Sequence, residues 1–310
     1  MPRVGVGVRS PGPRRSHDTR AFRRPQRDPV VLGVDALDTG PMTAAWAADE
    51  ADRRGLPLRL VHAVPSPFRE FRAFDEGRYH TALRQRADEA LDGACAVARE
   101  RHPGLAVTTA VVEDVPAPAL CRESAHATLV VLGSRRLRRA AEVLSVYSVA
   151  VPVSAQAHCP AVVVRDPEHV TQDPPYVVVG VDGSPSSATA VDFAFDLAAE
   201  RRAALRIVWV WQRPPVVNLD ERDTERILRR MLFETTAGRR ELHPDVATTH
   251  ELMRGHPVEK LAEAAEHALA VVVVGRRGHG GFTGMRLGSV PHGLLHRAHC
   301  PVVTVPSPRY

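Results

Sequence analysis

The chain has 310 residues, a formal net charge of +5, an apolar content of 44% and four cysteines. The length suits two domains of ordinary size. No apolar run approaches the roughly 18 residues of a membrane-spanning helix, the first residues lack a signal-peptide core, and the cysteines show neither disulfide nor metal-ligand spacing. We therefore expect a cytoplasmic protein with no metal site and no membrane partner.

Residues 1–28 form an arginine-rich segment with little apolar content. This composition predicts a solvated, disordered arm. Its charge would also suit nucleic acid or an acidic partner. Because no aromatic platform or nucleic-acid motif accompanies the arginines, we expect no nucleic-acid partner.

Residues 29–165 are predicted to form a first domain in which strands alternate with helices. Short β-branched apolar runs indicate strands buried on both faces, and the amphipathic stretches between them indicate helices. The expected strands cover 30–34, 57–64, 106–112, 128–132 and 161–164, and the expected helices cover 43–54, 79–101, 117–124 and 148–157.

A short, proline-bearing linker over 166–175 should hold this domain close to a second one, residues 176–308, which repeats the alternation. Strands alternating with helices predict a parallel sheet with right-handed crossovers, so each domain is expected to be a doubly wound five-stranded α/β unit. The expected strands cover 176–181, 205–211, 247–253, 270–274 and 301–305, and the expected helices cover 187–200, 220–238, 257–268 and 289–298.

An internal repeat relates the two domains, because three segments recur in the same order at offsets of 141 to 147 residues. Repetition over such a distance indicates duplication of a whole domain rather than a solenoid. The paired segments are 30–35 with 177–182, 128–136 with 270–277, and 158–164 with 299–305.

A glycine-rich motif in the second domain is the main functional signal. Gly275, Gly278, Gly288 and Ser289 have the spacing Gly-x2-Gly-x9-Gly-Ser, directly after the apolar run 269–274. Glycines allow close approach to a backbone, and the free N–H groups at the start of the next helix attract an anion. The pattern is therefore typical of a phosphate-binding loop.

Four features together make residues 29–308 resemble the universal stress protein family, as a tandem two-domain member. They are strand-Gly-x-Asp, the Gly-x-Pro that begins at Gly255, the spaced glycine-serine loop, and Ala-His-Cys-Pro before the last strand. The resemblance implies a strand order of 3-2-1-4-5 in each domain. It also implies binding of ATP, alone or with Mg²⁺, where the loop motif is kept, and a regulatory role in stress.

The ends of the first and fourth strands of the second domain define the expected site. Ligands of open α/β sheets bind where the strand order reverses, beyond the carboxyl ends of the strands, and Asp182 and Gly275 occupy these ends. Asp182 would accept hydrogen bonds from an adenine amino group or a ribose hydroxyl, or would instead cap its own turn. Gly180 would let the ligand lie close to the first strand, or would only pack there.

The loop residues have expected roles along the nucleotide. Gly275 and Gly278 would line the path of the ribose and triphosphate. Gly288, Ser289 and Val290 would offer N–H groups and one hydroxyl to the phosphates, although Ser289 could be an ordinary helix N-cap.

The side chains that flank the loop each allow two interpretations. Arg276 and Arg277 would supply positive charge or would only solubilise the loop. Val210 matches the adenine contact of the resembled family or belongs to the core, whereas Trp209 and Trp211 are expected to pack.

The first domain has lost much of the motif. Arg136 stands at the position of Gly278, Tyr147 at that of Gly288, and Asp114 at that of Gly255. We expect these side chains to obstruct or repel phosphate, leaving Asp35 as a turn residue and Ser148 as a helix cap. One ATP per chain, in the second domain, is the resulting prediction.

Three functions are consistent with the sequence. The leading one is a non-catalytic ATP-binding regulatory protein, because paired carboxylates, a metal cluster or an activated nucleophile do not stand at readable spacing. His279 is not expected to be a catalytic base. The alternatives are an enzyme that hydrolyses ATP slowly or transfers its adenylyl group, and a scaffold without nucleotide.

The last strands of the two domains are also expected to interact. A five-stranded sheet leaves an edge at its last strand, and an apolar edge invites pairing. Residues 161–164 and 301–305 are rich in valine and carry no charge. We expect the domains to form a pseudo-dimer through these strands, with a homodimer of chains as a further option.

Overall fold

A computed structural model describes residues 28–36, 40–64, 76–134, 149–165, 175–212, 220–266, 271–279 and 286–307. The expectations for the arm, for most of the linker and for Arg136, Tyr147 and Ser148 lie outside these ranges. Within them, the first half of the chain contains β1 (Val30–Gly33), α1 (Pro41–Arg54), β2 (Leu58–Val64), α2 (Glu76–Arg101), β3 (Val107–Glu113), α3 (Pro116–Glu123), β4 (Leu129–Gly133), α4 (Ala150–Gln156) and β5 (Ala161–Val164).

The second half repeats this succession. It contains β6 (Tyr176–Val181), α5 (Pro185–Arg201), β7 (Ala204–Trp211), α6 (Glu221–Thr235), α7 (Arg239–Leu242), β8 (Thr248–Arg254), α8 (Pro257–Ala264), β9 (Val271–Gly275), α9 (Ser289–Arg297) and β10 (Val302–Val305). The expected single helix over 220–238 is wrong: α6 ends at Thr235, and Gly238 takes a left-handed φ of 79° before α7 begins.

The described strands form one ten-stranded sheet in the order β3-β2-β1-β4-β5-β10-β9-β6-β7-β8. Each half has the 3-2-1-4-5 order and parallel pairing, so the predicted α/β class is confirmed. The two halves join through β5 and β10, which pair antiparallel with Val302 opposite Val163. The contact expected between the last strands is therefore present within one chain.

The hydrophobic core lies on both faces of this sheet. One layer packs between the sheet and α1, α2, α5 and α6, and the other lies beneath α3, α4, α8 and α9. Valines of the central strands supply most of both layers and are almost fully buried. Each layer continues across the β5–β10 pair, so the two halves share one core.

A buried charge cluster joins α1 to α5 across the two halves. Glu50 is fully buried, and its carboxylate lies 2.8 Å from Arg54 Nε and 2.7 Å from Arg201 Nη2. Burial raises the pKa of Glu50, but the charges of Arg201 and Arg54 outweigh that effect and hold the pKa below its ordinary value of 4.5. The carboxylate therefore stays ionised and neutralises arginines from both halves.

Aromatic rings complete this contact in a nearly symmetric way. Arg201 lies over the ring of Trp46 at 4.9 Å, and Arg54 lies over the ring of Phe193 at 5.6 Å. Arginine over an aromatic face is a favourable arrangement when water is excluded. The arginine of each half therefore packs on the aromatic ring of the other half.

Replacing Glu50 with alanine should lower the free energy of unfolding by about 3–5 kcal/mol, because it leaves the buried Arg201 without the carboxylate of Glu50, whereas Arg54 keeps Glu200. Urea denaturation of the variant and the parent measures this difference. Since the pKa of Glu50 is lowered in the folded state, its contribution is present above pH 4.5 and is lost as the pH falls through the folded value. The deficit should therefore shrink in acid.

Glu89→Ala is the matched control, because Glu89 lies on an exposed face of α2 and bonds to Gln85 within the same helix. It should change stability by less than about 0.5 kcal/mol. Equal stabilities for the two variants would contradict a structural role for the Glu50 cluster.

Candidate functional site

The strand order reverses between β6 and β9, which lie side by side in the sheet. Helix α5, which follows β6, packs on one face of the sheet, and α9, which follows β9, packs on the other face. A crevice therefore opens beyond the carboxyl ends of these two strands. Asp182 follows β6 directly and Gly275 ends β9, as the sequence predicted.

Asp182 connects the two loops that border this crevice. Its Oδ1 accepts a hydrogen bond from the Ser184 amide at 3.0 Å, and its Oδ2 accepts one from the His279 amide at 3.2 Å. The first bond confirms the turn-capping role considered for Asp182. The side chain remains 44% exposed, so the carboxylate still faces solvent in the crevice.

The hydrogen bonds to Asp182 also set its charge. Burial raises the pKa of this carboxyl, but bonds from the Ser184 hydroxyl and amide, the Ser187 hydroxyl and the His279 amide together lower it below 3.8. Hydrogen bonds that point at a carboxylate favour its ionised form. Asp182 is consequently an acceptor with a full negative charge at neutral pH.

Three glycines of the predicted site lie close to neighbouring protein atoms. A Cβ at Gly278 would collide with Asp182 Oδ2, and one at Gly275 would lie 2.7 Å from the Ser186 carbonyl carbon in the first turn of α5. A Cβ at Gly180 would lie 2.8 Å from Leu261 Cδ1, which supports the packing interpretation of this residue. The backbone of Ser186 therefore explains Gly275 without a ligand, whereas the nearest atoms at Gly180 and Gly278 are the ends of side chains.

Gly288 is different, because none of the described residues around it requires a glycine there. It is the N-cap of α9 with φ −69° and ψ 161°, an extended conformation open to any residue. A Cβ would meet its nearest neighbour, the Arg276 carbonyl oxygen, at 3.4 Å, which is ordinary contact. The interpretation of Ser289 as the N-cap is wrong, since Ser289 is the first helical residue.

The start of α9 therefore has no side-chain cap. Gly288 has no side chain to accept from the first N–H groups of the helix. Ser289 is exposed and Val290 is half-buried. The structure thus places the three residues predicted to contact phosphate at a helix start without a side-chain cap.

The two arginines of the loop go to different places. Arg276 Nη1 donates to the carbonyl oxygen of Ala155 at 2.8 Å, in α4 of the other half. The structure therefore brings the Arg276 side chain to the contact between halves and not to the start of α9. Arg277 is exposed, and its amide donates to Ser186 Oγ at 3.3 Å.

The strand beside the crevice contributes mainly to the core. Trp209 and Trp211 are buried in one core layer, as predicted. Val210 points to the opposite layer and is partly buried there, which agrees with its interpretation as a core residue. The adenine contact expected for Val210 stays a prediction.

Sequence reasoning missed the serines at the start of α5. Ser184 is the N-cap of that helix and accepts from the Ser187 amide at 3.1 Å, while Ser186 meets the loop after β9. The available signal was Asp-Gly-Ser-Pro, since serine before proline is typical of a helix start.

The corresponding corner of the first half is built differently. Gly255 has a φ of 141°, a conformation that favours glycine. Asp114 replaces it, pairs with Arg122, and accepts from the Val115 amide at 2.6 Å. The Asp114 side chain is therefore engaged with its own half.

The described ranges contain no cluster of three or more histidine, cysteine or acidic residues suited to a metal ion. No helix there combines the length and the apolar character needed to cross a bilayer.

Gly275→Ala should lower the free energy of unfolding by about 1–3 kcal/mol, because the new methyl group would be forced against the backbone of Ser186. Gly288→Ala is the matched control and should stay within about 0.5 kcal/mol of the parent. Urea denaturation distinguishes them. A Gly288→Ala protein as unstable as Gly275→Ala would show that Gly288 serves packing.

Comparison with known proteins agrees with this architecture. The sequence model of the universal stress protein family matches residues 26–165 and again 176–306. A universal stress protein of Mycobacterium tuberculosis is 35% identical over 290 residues, covering 88% of this chain and 95% of the relative. One from Mycolicibacterium smegmatis is 33% identical over 289 residues, covering 89% of this chain and 96% of the relative.

Solved structures support the same fold. The crystal structure of a universal stress protein from Archaeoglobus fulgidus has a TM-score of 0.68 at 17% identity, covering 89% of this chain and 96% of that chain. The two domains expected from the internal repeat each match the family separately. The chain therefore belongs to the universal stress protein family and carries two tandem copies of its domain.

Proposed function

We propose that this protein is an ATP-binding regulator of the stress response, with one nucleotide bound per chain in the crevice of the second half. The observation that carries the proposal is the start of α9. There a glycine occupies the N-cap although neither its backbone conformation nor its neighbours within the described ranges require one.

Phosphate is the ligand chemistry that suits such a helix start. The first N–H groups of a helix lack internal acceptors and carry a partial positive charge, so they bind anions. A side chain at Gly288 would stand between these groups and the ligand. The absence of a side chain at the N-cap is therefore useful to a bound phosphate, whereas an aspartate or serine would serve the helix alone.

Asp182 would serve the other end of the nucleotide. Its carboxylate is ionised and partly exposed, and its two oxygens can accept further bonds besides those from the Ser184 and His279 amides. The amino group of adenine and the hydroxyls of ribose are donors of the right kind. The sugar and the phosphate chain would then extend from the end of β6 to the start of α9.

A regulatory role fits the chemistry of the crevice better than catalysis. Asp182 is held by two amides, and His279 Nδ1 lies 3.8 Å from Asp182 Oδ2 with an exposed ring. A general base needs closer and better-oriented contact with the proton that it removes. We expect ATP hydrolysis, if measured, to be slower than about one turnover per second, the low end of ordinary enzymes.

Calorimetric titration of the full chain with ATP tests the proposal, and mass spectrometry of nucleotide released from the purified protein complements it. We expect one ATP per chain. Failure to bind ATP, with the protein folded by circular dichroism, would leave an interaction scaffold as the function. Rapid turnover would instead favour an ATP-using enzyme.

Gly288→Val should abolish ATP binding while the fold persists, because its branched side chain fills the space between the helix start and the phosphate. Ser289→Ala should be milder. Loss of one hydrogen bond to a charged group costs roughly 1.5–3 kcal/mol, or about tenfold to over a hundredfold in affinity.

Gly104→Val is a suitable control for this pair of variants. A Cβ at Gly104 would meet no atom within 4 Å, and the residue lies in the loop before β3 of the first half. It should bind ATP like the parent. Parental affinity in Gly288→Val would mean that the loop is only a structural turn.

A further inference from the structure

We infer that the first half positions the nucleotide loop of the second half, and that Gln156 and Ala155 at the end of α4 do so by holding Arg276 and Arg286. The inference rests on the proposed function for its consequence in binding. It assigns a role to the half whose own glycine motif has been lost.

The two contacts hold opposite ends of one segment. Arg276 directly follows β9 and donates to the Ala155 carbonyl oxygen at 2.8 Å. Arg286 lies two residues before Gly288, and its Nη1 donates to Gln156 Oε1 at 2.5 Å. Both arginines therefore reach the same end of the same helix in the other half, 121 and 130 residues away along the chain.

The backbone of Arg276 links this contact to the helix start that would bind phosphate. Its carbonyl oxygen accepts from the Gly288 amide at 2.9 Å, and its own amide donates to the Val305 carbonyl at 2.9 Å. One residue thus joins β10, the N-cap of α9 and the first half. A displacement of Arg276 would move Gly288 with it.

The end of α4 is a suitable anchor for two guanidinium groups. The last carbonyl groups of a helix lack internal donors and carry a partial negative charge, which arginine side chains neutralise. The helix itself is fixed, because Val153 is fully buried and Ala157, which follows the helix, is nearly so. Thr304 of β10 adds a contact of 3.5 Å to the Ser154 carbonyl oxygen.

The contact that Gln156 makes distinguishes it from the residues proposed to bind the nucleotide. Its side chain contacts Arg286, whereas Asp182 and the start of α9 belong to the second half. A change at Gln156 should therefore act on binding only by loosening the loop. Gln156 is in this sense a positioning residue.

The test compares three variants of the full chain. Gln156→Ala removes the acceptor for Arg286, Gln156→Glu replaces it with a charged acceptor that binds a guanidinium more strongly, and Gln85→Ala is the control. Gln85 is exposed on α2 of the same half and bonds to Glu89. Amide hydrogen exchange is measured without nucleotide at residues 276–279 and 286–290, and ATP affinity is measured by calorimetry.

We expect Gln156→Ala to exchange faster at these residues and to bind ATP about two- to tenfold more weakly, the equivalent of one ordinary hydrogen bond. Gln156→Glu should restore slow exchange and parental affinity or better. Unchanged exchange in Gln156→Ala, or exchange in Gln156→Glu as fast as in Gln156→Ala, would overturn the inference.

The two proposals fail in distinguishable ways. A parent protein that binds no ATP refutes the proposed function, while the exchange data still decide whether α4 holds the loop. A parent that binds ATP, with both Gln156 variants behaving like Gln85→Ala, refutes the positioning role alone.

Discussion

The antiparallel pairing of β5 with β10 is the constraint on which the rest of the structure depends. Each half alone is a parallel sheet with an unpaired apolar edge, and joining the edges satisfies both rows of backbone groups. Once this register is fixed, α1 meets α5 and α4 meets α9. Arginines then cross in both directions: Arg276 binds the end of α4, and Arg165 donates to the Leu295 carbonyl oxygen near the end of α9.

The glycines of the crevice differ in the atoms that a Cβ at each position would meet. Gly275 makes room for the backbone of Ser186, and a Cβ at Gly278 would meet the end of the Asp182 side chain. Among the described residues, Gly288 has no such close neighbour, and its backbone angles are ordinary. Glycines of one spaced motif can therefore have different structural reasons, and the atoms around each one distinguish them.

The sequence was sufficient for the fold because its signals are local. Uncharged valine runs marked β4, β5, β9 and β10 within a residue or two, and the repeat predicted two domains. The roles of Gly180 and Arg276 were not predictable, since they depend on Leu261 and on Ala155, which lie 81 and 121 residues away. The end of α6 was placed three residues too late because Thr236 and Ala237 carry no stop signal, so the expected helix continued to Gly238.

Fusion of the two domains has a consequence for the charges at their contact. The offset of 147 residues that relates β1 to β6 also relates Trp46 to Phe193 and Arg54 to Arg201, but it places Leu197 opposite Glu50. Two identical subunits around a twofold axis must present every side chain twice, so an acid at this depth would come as a pair. Covalent linkage removes that obligation, so the single carboxylate of Glu50 lies between the two arginines. The other acid of the cluster, Glu200, pairs with Arg54 at 2.7 Å, and its equivalent position in the first half is Arg53.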